Sequence, residues 1–322
     1  MSFDNFKKYL NESLNHPNNS HTDWVSYNSS LPNLPCTLDW ASTDSDELFK
    51  IALNNGVDGI NSKLSNRIPK ARFNETVKYY LDNPISYELN PYKFRSDEFS
   101  TELSGNVFLG CSDTFGVGHL LEHSWPYILT KLRFPNYKIY NLGAPGSGSD
   151  THFRLLNVLK DKMKIKNIFH WLPIRSRFEI YLDHGIDGIR YPMEGSRRQG
   201  FSTISPAWEI DNDFFSKNYI KYGLMSETMR NINDLKNILA IKNIADELGV
   251  PYYLANFEGN ISSYNNKYMN EVTDYFNKNN IPIRLLARDF QHMEIFDSAK
   301  VVAHFLQEIN DLSLRKSNKN II

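Results

Sequence analysis

From residue 105 onward, short apolar runs alternate with stretches whose apolar residues recur every three or four positions. Val107–Leu109, Tyr137–Asn141, Asn167–Leu172, Pro251–Ala255 and Ile281–Ala287 are the short runs, and each reads as a buried strand. Leu121, Trp125, Ile128, Leu129 and Leu132 repeat at helical spacing in a pattern that starts from about His119. Phe153, Leu156, Leu159 and Met163 mark a second helix. Met229, Ile232, Leu235, Leu239, Ala245 and Leu248 mark a long one that ends at Gly249, a C-cap candidate. Met269, Val272 and Phe276 mark another, and the last, about Ile295 to Ile309, carries Ile295, Ala299, Val302, Ala303 and Leu306 on one face. Alternation of this kind predicts an α/β fold: a parallel sheet with helices on both faces.

The chain before residue 105 lacks that rhythm. Residues 1–104 read as an N-terminal extension that packs on the main domain. Within it, residues 1–35 are polar, Asp46–Asn54 and Asn74–Leu81 are weakly helical, and residues 86–98 form a loop with an Asn90-Pro91 turn. No chemistry is evident there; Arg95 could reach the site, but reads more readily as a surface residue. The main domain covers residues 105–312 and contains a long irregular insertion, 173–225, where loops line or cover sites. Tyr181, Tyr191, Phe201 and Trp208 in that insertion either stack on sugar rings or form its own small core. Arg175, Arg177, Arg190, Arg197 and Arg198 either bind an anionic group or are solvated. Residues 313–322 read as a polar tail that frays.

Composition narrows the function classes. Net charge is −1, so the basic excess of a nucleic-acid-binding protein is missing. Two cysteines, Cys36 and Cys111, rule out a disulfide framework. No apolar run is long enough for a bilayer, and the first residues have no apolar signal core, so the chain reads as soluble and cytoplasmic on synthesis. No phosphate loop and no Gly-x-Gly-x-x-Gly is present, so no cofactor is expected. His119 and His123 lie four apart but without the carboxylate of a His-Glu-x-x-His motif, so they read as packed or solvated, with no metal.

The candidate chemistry lies in three turns after strands. Gly110-Cys111-Ser112-Asp113 follows the first strand and offers Ser112 as a nucleophile if a base reaches it. The alternative is a helix-capping serine. Cys111 is a rival nucleophile unless it faces the core. Asn141-Leu142-Gly143-Ala144-Pro145-Gly146-Ser147 follows the second strand, and the N–H groups of Gly146 and Ser112 are candidate oxyanion donors; the alternative is a plain turn. Asp289-Phe290-Gln291-His292 follows the fifth, where Asp289 could orient His292 as a base. Here the alternative is an Asp capping the last helix.

These three blocks resemble the SGNH (GDSL-type) hydrolase family. Gly110 to Gly116 is similar to its Gly-Asp-Ser-x-Thr-x-Gly block, Asn141 to Gly146 to the block that donates to the oxyanion, and Asp289 to His292 to its Asp-x-x-His. Asn90 to Glu98 resembles a lead-in found in some relatives. The Trp125-Pro126 pair is similar to SGNH-like proteins of phages and marine bacteria. The resemblance implies a three-layer α/β/α flavodoxin-like fold with a five-stranded sheet in the order 2-1-3-4-5. It implies Ser112 as nucleophile, His292 as base, Asp289 as its partner, and ester hydrolysis through an acyl-enzyme without metal or cofactor. The partner implied is a small-molecule or carbohydrate ester such as an acetylated sugar. Two departures stand out. Cys111 replaces the family's aspartate, and Pro173-Ile174-Arg175-Ser176-Arg177 stands where a Gly-x-Asn-Asp block belongs, so Arg175 or Arg177 is the replacement candidate for the missing asparagine. The other reading is a structural or binding module, for example a virion protein assembled into an oligomer or particle, that retains the scaffold.

Overall fold

A computed structural model describes residues 36–62, 68–173, 177–182, 200–204, 226–256, 266–292 and 294–319. In chain order the elements are β1 (Cys36–Leu38), β2 (Trp40–Ala41), β3 (Asp44–Ser45), α1 (Asp46–Asn61), α2 (Lys70–Asp82), β4 (Tyr87–Leu89), β5 (Ser104–Leu109), α3 (Ser112–Phe115), α4 (Trp125–Arg133), β6 (Lys138–Asn141), α5 (Ser149–Leu159), β7 (Lys164–Leu172), β8 (Phe178–Leu182), β9 (Gly200–Ile204), α6 (Glu227–Glu247), β10 (Tyr252–Asn256), α7 (Asn266–Lys278) and α8 (Ile295–Lys319).

Four strands form one parallel sheet in the order β10-β7-β5-β6. Side chains alternate across β5, so Phe108 enters one core and Val107 and Leu109 the other. Phe108 packs with Trp125, Phe169, Trp171, Val272 and Phe305. Val107 and Leu109 pack with Tyr140, Leu155, Ile168 and Ile241. Helices α4, α7 and α8 therefore cover one face and α5 and α6 the other. Because both faces are covered, the carboxyl halves of the inner strands are mostly apolar and buried, Val107–Leu109 on β5 and Ile168–Leu172 on β7, with His170 the polar exception. A third core joins α1, α2 and β4 to α3, the segment after it and the loop between α7 and α8 through Phe49, Phe73, Tyr87, Phe115, Val117, Leu286 and Phe290. Among the described residues, no helix is long and apolar enough to cross a membrane.

Several elements differ from the sequence expectation. Ile281–Ala287 is not a strand. Pro282 removes a ladder donor, and the segment turns instead, with Leu285 N bonded to Pro282 O at 3.2 Å. Its apolar residues are buried all the same, Ile281 and Leu285 in one core and Leu286 in another. The helix expected from His119 begins at Trp125. Gly116 and Gly118 adopt φ of 83° and 74°, which ends α3 and prevents an earlier start. Met163 lies outside α5, immediately before β7.

On α6 most of the expected apolar positions point outward: Met229, Ile232, Leu235 and Leu239 are 44–56% exposed, whereas Ala245 of the same set is buried. Polar docking sets the rotation of this helix. Asn233 and Asn237 donate to Asp150 at 2.9 and 2.8 Å, and Asp234 accepts from Ser149 Oγ at 2.6 Å. Ile241, Ile244 and Ala245 then fall on the buried side. At the C-terminus, α8 continues to Lys319 through the region expected to fray, with Ile309 and Leu312 still packed on the core. Within the insertion, β8 and β9 pair antiparallel, with Phe178 opposite Ile204 and Tyr181 opposite Phe201. Tyr191, Trp208, Arg190, Arg197 and Arg198 lie outside the described residues.

Candidate active site

β5 delivers the chain to Gly110 at the carboxyl edge of the sheet. A Cβ there would lie 1.9 Å from Thr114 Oγ1, so only glycine lets α3 fold back this closely. Cys111 occupies the N-cap position and Ser112 is the first helical residue. Ser112 is therefore not a helix cap. Its side chain is 8% exposed, and Oγ donates to Cys111 Sγ at 3.8 Å. The Cys111 thiol is buried, and burial followed by the nearby Asp113 carboxylate pushes its pKa up. A thiol held protonated in this way does not compete as a nucleophile.

The loop after β6 is sewn to α3 by one amide. Asn141 Nδ2 donates to Thr114 O at 2.8 Å, and Asn141 Oδ1 accepts from Gly143 N at 2.9 Å. Gly143 has no room for a Cβ, which would lie 2.5 Å from Phe115 N. Ala144 N then bonds Gly110 O at 3.0 Å, setting the two loops side by side. Residues 144–147 close a turn through Ser147 N and Ala144 O at 3.0 Å. Gly146 has φ of 82°, as the third position of a type II turn requires, and Pro145 suits the second. Among the described residues, no acceptor takes the N–H of Ser112 or of Gly146. Two backbone donors are thus available at one edge of the sheet.

Arg177 reaches the same turn, with Nη1 donating to Ser147 O at 3.1 Å. Its charge is close enough to act on Cys111 and His152. Arg175 lies outside the described residues.

The third piece is the loop before α8. His292 Nδ1 meets Asp289 Oδ2 at 2.5 Å, and Asp289 Oδ1 accepts the N–H groups of Gln291 and His292, each at 3.1 Å. Phe290 takes φ of 58° to make this tight fold possible. α8 starts only at Ile295, so Asp289 caps no helix; its carboxylate serves the imidazole. Burial would raise the Asp289 pKa, but the His292 charge and hydrogen bond, with lesser help from Thr43 and the Gln291 N–H, hold it at about 2. Burial would likewise lower that of His292. Asp289 outweighs this, with smaller contributions from Asp113 and Asp44, and leaves the imidazole above its ordinary value. The His292 loop is fixed to the segment that follows α3 through Arg288 N, which donates to Gly118 O at 2.8 Å.

Thr43 is the residue that sequence reasoning missed. It sits at the tip of the β2–β3 hairpin, after Ser42 at φ of 56°, and donates from Oγ1 to Asp289 Oδ2 at 2.5 Å. A closed ring of contacts holds that hairpin in place. Arg288 donates to Asp44 Oδ1 and Oδ2, and Tyr87 OH donates to Asp44 Oδ2 at 2.5 Å. Gly118 N donates to the Tyr87 oxygen at 2.9 Å, and Arg288 N donates to Gly118 O at 2.8 Å. The ring links the hairpin, the turn after Ser112 and the His292 loop. The remaining singled-out residues lie behind the site. Arg95 is 2% exposed, not on the surface, and donates to Gly116 O and His119 O at 2.7 and 3.0 Å. His119 and His123 are both 2% exposed, and burial with the Arg95 charge lowers His123 to about 4.

The Asp289–His292 pair makes stability depend on pH in opposite senses for its two members. The folded His292 pKa is raised, so its contribution is complete below the unfolded value of about 6.5 and is lost as pH rises through the folded value. The folded Asp289 pKa is depressed, so its contribution is complete above about 3.9 and is lost as pH falls toward 2. We expect the wild-type excess in melting temperature over His292→Ala to be largest between these limits and to shrink above pH 6.5. A difference that grows with pH above 6.5 contradicts the pairing. No protein-family model and no curated protein sequence matches the chain.

Proposed function

We propose that the chain is a serine esterase of SGNH type that removes short acyl groups, such as acetyl, from a carbohydrate. One observation carries the reading: an Asp–His pair, braced by Thr43, sits on a loop whose Arg288 N bonds Gly118 O, just beyond the helix that begins at Ser112. In this reading His292 Nε2 takes the Ser112 proton as Oγ adds to the ester carbonyl, and Asp289 stabilises the imidazolium through Nδ1. The N–H groups of Ser112 and Gly146 receive the oxyanion. The imidazolium returns its proton to the departing alkoxide, leaving an acyl-serine, and water activated by the same imidazole releases the acid. Ser112 Oγ must first rotate away from Cys111, as catalytic hydrogen bonds often form only with substrate present.

Further support comes from the sheet. Numbered within it, β6, β5, β7 and β10 run 2-1-3-4, the first four places of the flavodoxin-like order. The near-burial of Ser112 favours a small acyl group. Arg177 is a cation bonded to the oxyanion turn, where no third-block asparagine stands. The second reading, a virion or other structural module on the same scaffold, is favoured by that missing asparagine and by the Ser112–Cys111 contact.

Fluorophosphonate treatment, read by mass spectrometry, separates the two. An adduct on Ser112, with hydrolysis of a short-chain aryl acetate, is the expected result. Folded protein that shows neither adduct nor turnover supports the structural module.

A further inference from the structure

The mechanism leaves two fully buried histidines unused. His152 on α5 and His170 on β7 are each 0% exposed. His152 Nε2 lies 3.0 Å from Ser147 Oγ, His152 Nδ1 lies 2.9 Å from His170 Nε2, and His170 Nδ1 lies 2.8 Å from Tyr252 OH. Ser147 Oγ continues the line by donating to Gly110 O at 3.2 Å.

We propose that Tyr252, His170, His152 and Ser147 form a one-way hydrogen-bond relay that positions the Gly110 carbonyl and the 144–147 turn, and with them both oxyanion donors. The catalytic part of this inference rests on the esterase reading; the positioning of the turn does not. Direction follows from counting donors. Gly110 O can only accept, so Ser147 commits its single hydroxyl proton there. Ser147 Oγ must then accept from His152 Nε2–H. A neutral imidazole has one donor and one acceptor, so His152 Nδ1 is bare and must accept from His170 Nε2–H. By the same step His170 Nδ1 accepts from Tyr252 O–H. One arrangement satisfies all the atoms, with both imidazoles in the Nε2–H form. Reversing it would set a Ser147 lone pair against Gly110 O. Burial keeps the pair uncharged: it lowers His152 to about 3, with Arg177 adding to the effect against a smaller opposing hydrogen bond to the Gly110 backbone, and lowers His170 as well, helped by His152.

The relay ends where positioning matters. Gly110 O also accepts from Ala144 N, so this one carbonyl joins the nucleophile turn to the oxyanion turn. Tyr252, the far end, touches neither. Loss of its hydroxyl frees His170 to change tautomer and loosens the turn without altering any group that meets substrate.

The experiment compares wild type with Tyr252→Phe by long-range proton–nitrogen NMR of the histidines, amide exchange at Ala144 and Ser147, and kinetics on an aryl acetate. In wild type, both His152 and His170 are expected neutral in the Nε2–H form from pH 5 to 8. In the variant we expect mixed tautomers at His170, exchange at the two amides faster by about tenfold, and kcat lower by about tenfold with KM unchanged, since small misplacements at a reacting centre cost this much or more. An Nδ1–H tautomer or a cation at either histidine in wild type overturns the relay. Expected tautomers with unchanged amide exchange in the variant overturn the positioning role. A wild type that hydrolyses no ester refutes the esterase reading, while the exchange rates still decide whether the relay holds the turn.

Discussion

Ser112→Ala is expected to lower kcat for aryl-acetate hydrolysis by roughly ten-thousand-fold or more, to a residue left by the oxyanion donors and binding alone. The size follows from the chemistry: without Oγ no acyl-enzyme forms, and His292 has no proton to take. The fold should not notice. Among the described residues the lost hydroxyl bonds only to a sulfur at 3.8 Å, and the backbone bonds of α3 are untouched, with Gly116 N and Val117 N still on Ser112 O at 2.9 and 3.0 Å. Steady-state kinetics with a melting curve on the same sample checks both halves. An alanine variant that keeps a tenth of the activity would move the nucleophile elsewhere.

The second large effect is on stability. Asp44 and Arg288 are each 1% exposed at the side chain, and their contact at 2.8 Å is the innermost ion pair of the site's surroundings. Asp44→Ala leaves the guanidinium buried with only Asp46, itself 48% exposed, as a carboxylate partner. Breaking one side of a buried pair costs about 3–5 kcal/mol, because the remaining charge stays desolvated. We expect the low end of that range, since Asp46 retains Nη1 at 2.6 Å. Activity should fall beyond what stability explains, because Tyr87 loses its acceptor and Thr43 its anchorage. Thermal melting with kcat measured well below the transition tests this. A variant as stable as wild type would mean that the hairpin is not held by this pair.

The local parts of this architecture are readable from the chain. Val107 to Leu109 is apolar because both faces of β5 are covered, and the Asp-x-x-His spacing of Asp289 and His292 places the two groups within one tight turn. What stays hidden depends on partners far away in sequence. Ile281–Ala287 has the apolar content of a strand, and burial alone accounts for it; Pro282 is the local sign against pairing. On α6 the leucine spacing suggests one face, yet Asn233 and Asn237 turn the other inward to reach Asp150. Arg95 looks like a surface residue until three backbone carbonyls are seen to receive it. Thr43 carries no local signal at all. The available hint was indirect: Asp44 and Asp46 flank a short hairpin, and Arg288, beside Asp289, is the cation that matches them.

Thr43 and Asp289 are separated by 246 positions. At ribosomal rates of roughly 5–20 residues per second, the hairpin is made about 12–50 seconds before its partners emerge. Until then Asp44 has no Arg288 to meet, and the third core lacks Leu286 and Phe290. The sheet around β5, β6 and β7 can assemble during that interval, but the brace on the imidazole cannot. On the esterase reading, a nascent chain halted before residue 288 would carry Ser112 without its proposed base, so hydrolysis would have to wait until the His292 loop has emerged.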